Sequence, residues 1–232
     1  MLSYLSHHIV LSGKLGILEW LSKHEHVIYL TSISQLFINV WSYSEHFHLE
    51  QPSFKMTDTT TDPLFTPWSI GPIDLKHRIV LAPLTRVRAD IDTLDPNAMM
   101  GEYYEQRASD GGLIITEATY PSAQAGGMVG TPGLYTQDHV KRWKAINDKI
   151  HAKGGKVITQ LWALGRTQDG KSGIRVVSAS DIGIEGKPKP EPLTQEEIQS
   201  YITDYANSAK LAMEAGFDGI EVHGARKSIH MT

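Results

Sequence analysis

The 232-residue chain contains no cysteine. Disulfides, thiolate metal ligands and a cysteine nucleophile are therefore excluded together. Such a composition fits a reducing compartment, and a cytoplasmic location is expected. An excess of either charge is also missing, because 22 Lys+Arg oppose 26 Asp+Glu for a formal net charge of −4. With no strongly basic stretch, no nucleic-acid partner is expected. Long hydrophobic runs are scarce. The uncharged run at residues 27–44 is interrupted by Thr31, Ser32, Ser34, Gln35, Asn39, Ser42 and Ser44, each costly in hydrocarbon, so no stable membrane span is expected. A secretory signal needs a basic start and an unbroken apolar run, and Lys14, Glu19 and Lys23 break this one.

What is present changes character near Met56. Residues 1–55 hold six of the eleven histidines and no arginine. His24-Glu25-His26 and His46-Phe47-His48 each lack a third ligand at fitting spacing, so no metal site is expected. The polar run Thr57-Asp58-Thr59-Thr60-Thr61-Asp62 reads as a flexible lead-in. The expected division is an extension outside the fold at 1–55, a lead-in at 56–63, one folded unit at 64–225 and a divergent tail at 226–232.

From Leu64 onward strands alternate with helices. Gly71-Pro72 marks the turn of a small hairpin over 69–75. Residues 78–84 form a near-continuous apolar run, the pattern of a strand buried on both faces. A helix over 98–109 follows, then a second buried strand at 112–118. Thr136 caps a helix with Val140, Trp143, Ile146 and Ile150 at helical spacing, and Gly154 ends it. The third strand spans 156–162. Residues 166–193 are broken by glycines and prolines and read as a functional loop or lid. Thr194-Gln195-Glu196-Glu197 is a capping box opening a helix with Ile198, Tyr201, Ile202, Tyr205 and Ala209 on one stripe. Residues 217–223 make the fourth strand.

This alternation implies parallel βαβ units. All four strands end in a small or polar group: Thr85, Glu117-Ala118, Gln160-Leu161-Trp162 and His223-Gly224-Ala225. In a (β/α)₈ barrel the C-terminal strand ends ring the active site. A doubly wound sheet predicts a glycine-rich phosphate turn after its first strand, but this one ends Ala82-Pro83-Leu84-Thr85-Arg86. The fold class expected is therefore an α/β TIM barrel.

Several words recur in a fixed order: Leu81-Ala82-Pro83-Leu84-Thr85-Arg86, Glu102-Tyr103-Tyr104-Glu105-Gln106-Arg107-Ala108, Leu113-Ile114-Ile115-Thr116-Glu117-Ala118-Thr119, Pro132-Gly133-Leu134-Tyr135, Val157-Ile158-Thr159-Gln160-Leu161-Trp162 and Glu221-Val222-His223-Gly224-Ala225. Together with Leu64-Phe65-Thr66-Pro67 and Gln124-Ala125-Gly126-Gly127, they resemble the Old Yellow Enzyme family of FMN-dependent NAD(P)H dehydrogenases and ene-reductases. The resemblance implies FMN as cofactor, NAD(P)H as reductant and α,β-unsaturated carbonyl compounds as substrates. It assigns FMN contacts to the backbone around Pro83 and Leu84, the Thr85 hydroxyl, the main chain at Ala118 and the Gln160 amide. His223 becomes the donor to a substrate carbonyl oxygen, where charge develops during hydride transfer. Bland readings stand beside these. Thr85 is equally a strand-end hydroxyl on nearby backbone, Gln160 a satisfied buried amide, Trp162 a cavity wall and Glu117 a structural hydrogen-bonding group.

The pattern breaks after Ala225. The family continues with Asn or His and then Gly-Tyr-Leu, whereas Arg226, Lys227 and Ser228 stand here. An alcohol at Ser228 is too weak an acid to replace the family's proton-donating Tyr. A barrel truncated after about four β/α units is expected, without the later loops that bind FMN phosphate. Such a chain is expected to self-associate through open barrel edges, and to bind FMN weakly or not at all without turnover. The competing reading is a non-catalytic fragment that acts at most as an assembly partner.

Overall fold

The computed structural model describes residues 62–224, together with the backbone pairing of residues 28–29. In chain order the strands are β1 (Ile28–Tyr29), β2 (Trp68–Ile70), β3 (Ile73–Leu75), β4 (Ile79–Leu81), β5 (Leu113–Thr119), β6 (Lys156–Leu161), β7 (Val177–Ser178), β8 (Glu191–Pro192) and β9 (Gly219–Val222). Three helices intervene: α1 (Ala98–Glu105), α2 (Gln137–Ala152) and α3 (Gln195–Glu214). Five strands form one sheet in the order β1-β4-β5-β6-β9, and every neighbour is parallel. From β4 to β9 the parallel strands of this sheet follow in sequence with a helix in each crossover, the α/β architecture the alternation implied.

Each element starts where local chemistry dictates. Thr136 accepts the His139 N–H at 3.1 Å and caps α2. The capping box of α3 closes in both directions, with Thr194 and Glu197 each satisfying the other's backbone N–H. The hairpin β2–β3 turns at Gly71, whose φ of +57° suits a residue without Cβ. The first strand of the apolar run is shorter than expected and stops at Leu81. Pro83 has no N–H to give the ladder, so the chain leaves the sheet there.

Side chains sort into three cores. Between sheet and helices, Met100, Tyr104, Ile114, Val140, Trp143, Ile146, Ile150, Val157, Ala212 and Phe217 pack together. The Trp143 and Phe217 rings are 5.3 Å apart. The opposite face of the sheet packs on the hairpin through Ile73, Leu75, Val80, Leu113 and Ile115. The hairpin thus plugs that face near the strands' N-terminal ends. A third group, Ala125, Leu161, Ala163, Val177, Tyr201 and Tyr205, joins the opposite strand ends to α3.

Three features differ from or add to what the sequence implies. The buried stripe of α3 is Tyr201, Tyr205, Ser208 and Ala212, while Ile202 is 55% exposed. Ser208 turns inward because its hydroxyl donates to the Leu134 carbonyl at 2.7 Å. The excursion at 166–193, expected as a functional loop or lid, is fastened at its start. Arg166 is buried, and its guanidinium donates to Ser178 Oγ, Ser180 Oγ and the Ile182 carbonyl at 2.8, 3.2 and 3.0 Å. Finally, residues 28–29 belong to the extension expected outside the fold, yet their backbone pairs Ile28 with Ile79 and Tyr29 with Val80. An edge strand presents unpaired N–H and C=O groups that any extended segment can satisfy.

Trp143 is fully buried at the centre of the helix-side core. Trp143→Ala is expected to cost about 3–5 kcal/mol in urea unfolding, and Thr194→Ala about 1 kcal/mol. A Trp143 variant indistinguishable from the parent would contradict this packing.

Candidate functional site

The site begins with an irregularity in β5. Between Ile115↔Ile158 and Ala118↔Gln160, β5 advances three residues while β6 advances two, which is a bulge. The ladder lapses there, so side chains satisfy the backbone. The Thr116 and Thr119 hydroxyls both donate to the Glu117 carbonyl, at 3.1 and 3.0 Å. Thr116 Oγ1 in turn accepts the Gln160 N–H at 3.3 Å. The bulge brings Ala118 level with Gln160.

Glu117 itself points into the helix-side layer and is 1% exposed. Its Oε2 accepts the Arg86 N–H at 2.9 Å, and its Oε1 accepts the Tyr104 hydroxyl at 3.3 Å. Tyr104 Oη also accepts the Glu117 N–H at 2.9 Å. Burial pushes the Glu117 carboxyl above its ordinary value, with the Arg86 N–H and the Tyr104 hydroxyl opposing. Both oxygens are committed, so Glu117 is structural. It fixes the loop after β4, which carries Pro83, Leu84 and Thr85, to the end of β5.

At the C-terminal ends of β5, β6 and β9 the structure gathers six residues on one rim. Ala118 and Gln160 are buried Cα partners, and Gln160 pairs on its other side with Glu221. Gln160 Nε2 donates to Glu221 Oε2 at 2.8 Å. His223, just past β9, donates its backbone N–H to the Leu161 carbonyl at 2.9 Å. Its ring lies 5.9 Å from that of Trp162, which stacks on Tyr120 at 6.3 Å. Pro83, Leu84 and Thr85 follow β4 on the neighbouring side, with Thr85 exposed and the other two half-buried. Among the described residues no hydrogen bond joins Thr85 to Gln160.

Sequence reasoning overlooked Glu221 as part of the site. Its signal was a carboxylate inside a short apolar strand, in register with an amide one strand away. The residues Ala225 to Thr232, including Arg226 and Ser228, and the histidine pairs of the extension lie outside the described residues. Among the described residues no helix is long and apolar enough to cross a membrane.

A parallel α/β sheet with an amide, an imidazole, a small residue and an indole at aligned strand ends carries these groups where α/β barrel proteins hold their sites. Residues 63–227 match the model of the NADH:flavin oxidoreductase / NADH oxidase family. Similar proteins include the NADP-dependent oxidoreductase lnbE of Aspergillus flavus, 48% identical over 69% of this chain and 44% of that protein. 12-Oxophytodienoate reductase 2 of Arabidopsis thaliana is 41% identical over 70% and 47%, respectively. The probable inactive dehydrogenase easA of Claviceps fusiformis is 45% identical over 70% and 44%. The chain therefore belongs to the NADH:flavin oxidoreductase / NADH oxidase family, the Old Yellow Enzyme group, whose fold is a TIM barrel. It spans about half the length of the curated relatives it matches.

The residues fit an FMN ring. Gln160 offers a carboxamide whose Oε1 makes no hydrogen bond among the described residues, and Ala118 leaves room for close approach of backbone. A carboxamide both donates and accepts, matching the alternating acceptor and N–H edge of the pyrimidine.

The registration of β9 on β6 rests on Asp218. Burial raises its pKa, but the Val157 N–H at 2.9 Å, His151 Nε2 at 2.9 Å and Lys156 Nζ at 3.2 Å outweigh burial and hold the carboxyl below its ordinary value. A lowered carboxylate contributes stability that is present above its unfolded pKa and lost as pH falls through its folded one. Asp218→Asn is thus expected to lose about 1–3 kcal/mol at neutral pH. The deficit relative to the parent should shrink as pH drops below the ordinary carboxylate range. Chemical unfolding across pH measures it, and a deficit that does not change with pH would contradict the assignment.

Proposed function

We propose that this chain carries the ring-binding part of an FMN-dependent NAD(P)H oxidoreductase that reduces activated C=C bonds of α,β-unsaturated carbonyl compounds. The alignment of Ala118, Gln160 and His223 at neighbouring strand ends carries this reading. Bound FMN supplies the hydride chemistry. The Gln160 amide orients the pyrimidine edge, and its own orientation is set by Glu221. The Thr85 hydroxyl serves the N5–O4 edge, and the backbone at Pro83, Leu84 and Ala118 lies close to the ring. His223 donates to the substrate carbonyl oxygen, and its ring is held against Trp162.

A second reading, a non-catalytic portion that works as an assembly partner, is favoured by the outer face of β9. Ile220 and Val222 there are 37% and 49% exposed, an apolar strip suited to self-association. The relative in Claviceps fusiformis named a probable inactive dehydrogenase shows that high similarity accompanies that designation as well.

Two proteins test the proposal. One is the 232-residue chain, and the other is a fusion of residues 1–224 to the second half of the Arabidopsis thaliana relative. The fusion is expected to form a yellow stoichiometric FMN complex and to oxidise NADPH when an enone is added. Gln160→Ala and Thr85→Ala should each weaken FMN binding by up to about tenfold, the weight of one neutral hydrogen bond. His223→Ala should lower kcat/KM about 10²-fold while leaving FMN bound. The chain alone should bind FMN weakly and not turn over. A folded fusion without flavin affinity would overturn the reading.

A further inference from the structure

The loop after β4 carries two arginines that the flavin reading does not use. Arg86 and Arg88 line a cavity of about 190 Å³ with Met99, Met100, Tyr103 and Glu117. Among the described residues neither guanidinium makes a salt bridge, and the Glu117 carboxylate acts on Arg86 by charge without an ion-pair contact. By contrast, Arg142 pairs with Asp95 at 3.1 Å, and Arg175 pairs with both Glu191 and Glu197. The Arg86 guanidinium sits 5.3 Å from the Tyr103 ring centroid, and Arg107 lies over the same ring at 3.8 Å. Stacking on an aromatic face limits the freedom of the Arg86 head without consuming its donors.

The backbone beneath these side chains is fixed. Arg86 N–H is held by Glu117, Ala89 N–H donates to the Gly130 carbonyl at 2.9 Å, and Asn97 Nδ2 donates to the Arg88 carbonyl at 2.6 Å. Between the two arginines Val87 adopts a φ of +49°, an unfavourable conformation for a β-branched residue that persists only when its surroundings enforce it. The one carboxylate in the wall, Glu117, has both oxygens engaged by the Arg86 N–H and the Tyr104 hydroxyl. With two guanidiniums against this one carboxylate the cavity is net positive, with donors facing an apolar wall of Met99, Met100 and Tyr103.

We infer that Arg86 and Arg88 form a binding site for a phosphate monoester whose apolar or planar body rests on Met99, Met100 and Tyr103. Two guanidinium forks present paired N–H donors that suit the oxygens of a phosphate. The site lies one residue from Thr85, which the proposed function sets at the N5–O4 edge, across the ring from the N10 atom that carries the ribityl phosphate, so the phosphate belongs to a ligand other than the flavin nucleotide. The inference does not depend on the flavin reading.

Calorimetric titration of the 232-residue chain with inorganic phosphate in chloride buffer tests the site. Saturable binding is expected, weakened about tenfold by Arg86→Gln or Arg88→Gln, abolished in the double variant and partly kept in Arg88→Lys. Far-UV circular dichroism and thermal unfolding, run beside each titration, identify any variant that fails to fold, and Arg88→Lys keeps the comparison alive if a glutamine variant does. Competition then tests the ligand class. Phenyl phosphate, a monoester with a planar body, is expected to displace inorganic phosphate and to bind more tightly than it does, and failure to displace it would overturn the monoester assignment. A parent that binds no phosphate, or a folded double variant that binds it as the parent does, would overturn it. Riboflavin affinity is scored separately, so phosphate binding without any flavin binding sinks the flavin reading and leaves this one standing.

Discussion

One buried carboxylate holds the functional end of this sheet together. Glu117 joins three elements: the loop after β4 through the Arg86 N–H, helix α1 through the Tyr104 hydroxyl, and β5 through its own N–H on Tyr104 Oη. A carboxylate removed from water is costly unless its oxygens are satisfied, and here two donors meet them. The residue before Arg86 is Thr85 and the residue after Glu117 is Ala118, so the knot fixes two candidate ring contacts relative to each other. It also places Arg86 beside Tyr103. Loss of the knot would free the whole upper edge of β4.

The second constraint is parallel register. Parallel strands linked by helices share one direction, so their C-terminal ends collect at one rim. Asp218 sets that register for β9 by binding the Val157 N–H, and Glu221 then falls opposite Gln160. The bulge in β5 performs the matching adjustment on the other side of β6, at the cost of a ladder interruption that Thr116 and Thr119 repair. The chemistry this rim offers follows from alignment more than from any one residue. An amide, an imidazole and an indole are ordinary groups until adjacent strand ends present them to one volume.

Much of this architecture could be read from the residues, and the exceptions have physical causes. The periodicity of α2 was plain because Val140, Trp143, Ile146 and Ile150 are all apolar and all buried. The face of α3 was misjudged because a hydroxyl aimed at a carbonyl is as buryable as a methyl, so Ser208 faces inward and Ile202 does not. The bulge could not be seen, since Thr116 and Glu117 inside an apolar run look like a strand's polar end. The fastening of the long excursion was equally hidden. Arg166 finds its partners 12 to 16 residues away in two serines and a carbonyl, with no acidic residue to announce the contact. Of the candidate site, Gln160 and His223 came from the order of motifs. Glu221 escaped because an isolated carboxylate in a strand is ordinarily assigned to solvent.

The central claim is that the flavin ring lies across the C-terminal ends of β4, β5, β6 and β9. Hydrogen exchange on the fusion protein, with and without FMN, tests this most directly. The account predicts slowed exchange at residues 84–86, 118–119, 160–162 and 223–224, with the hairpin at 68–75 unchanged. Protection at the hairpin end, with none at the opposite rim, would contradict it.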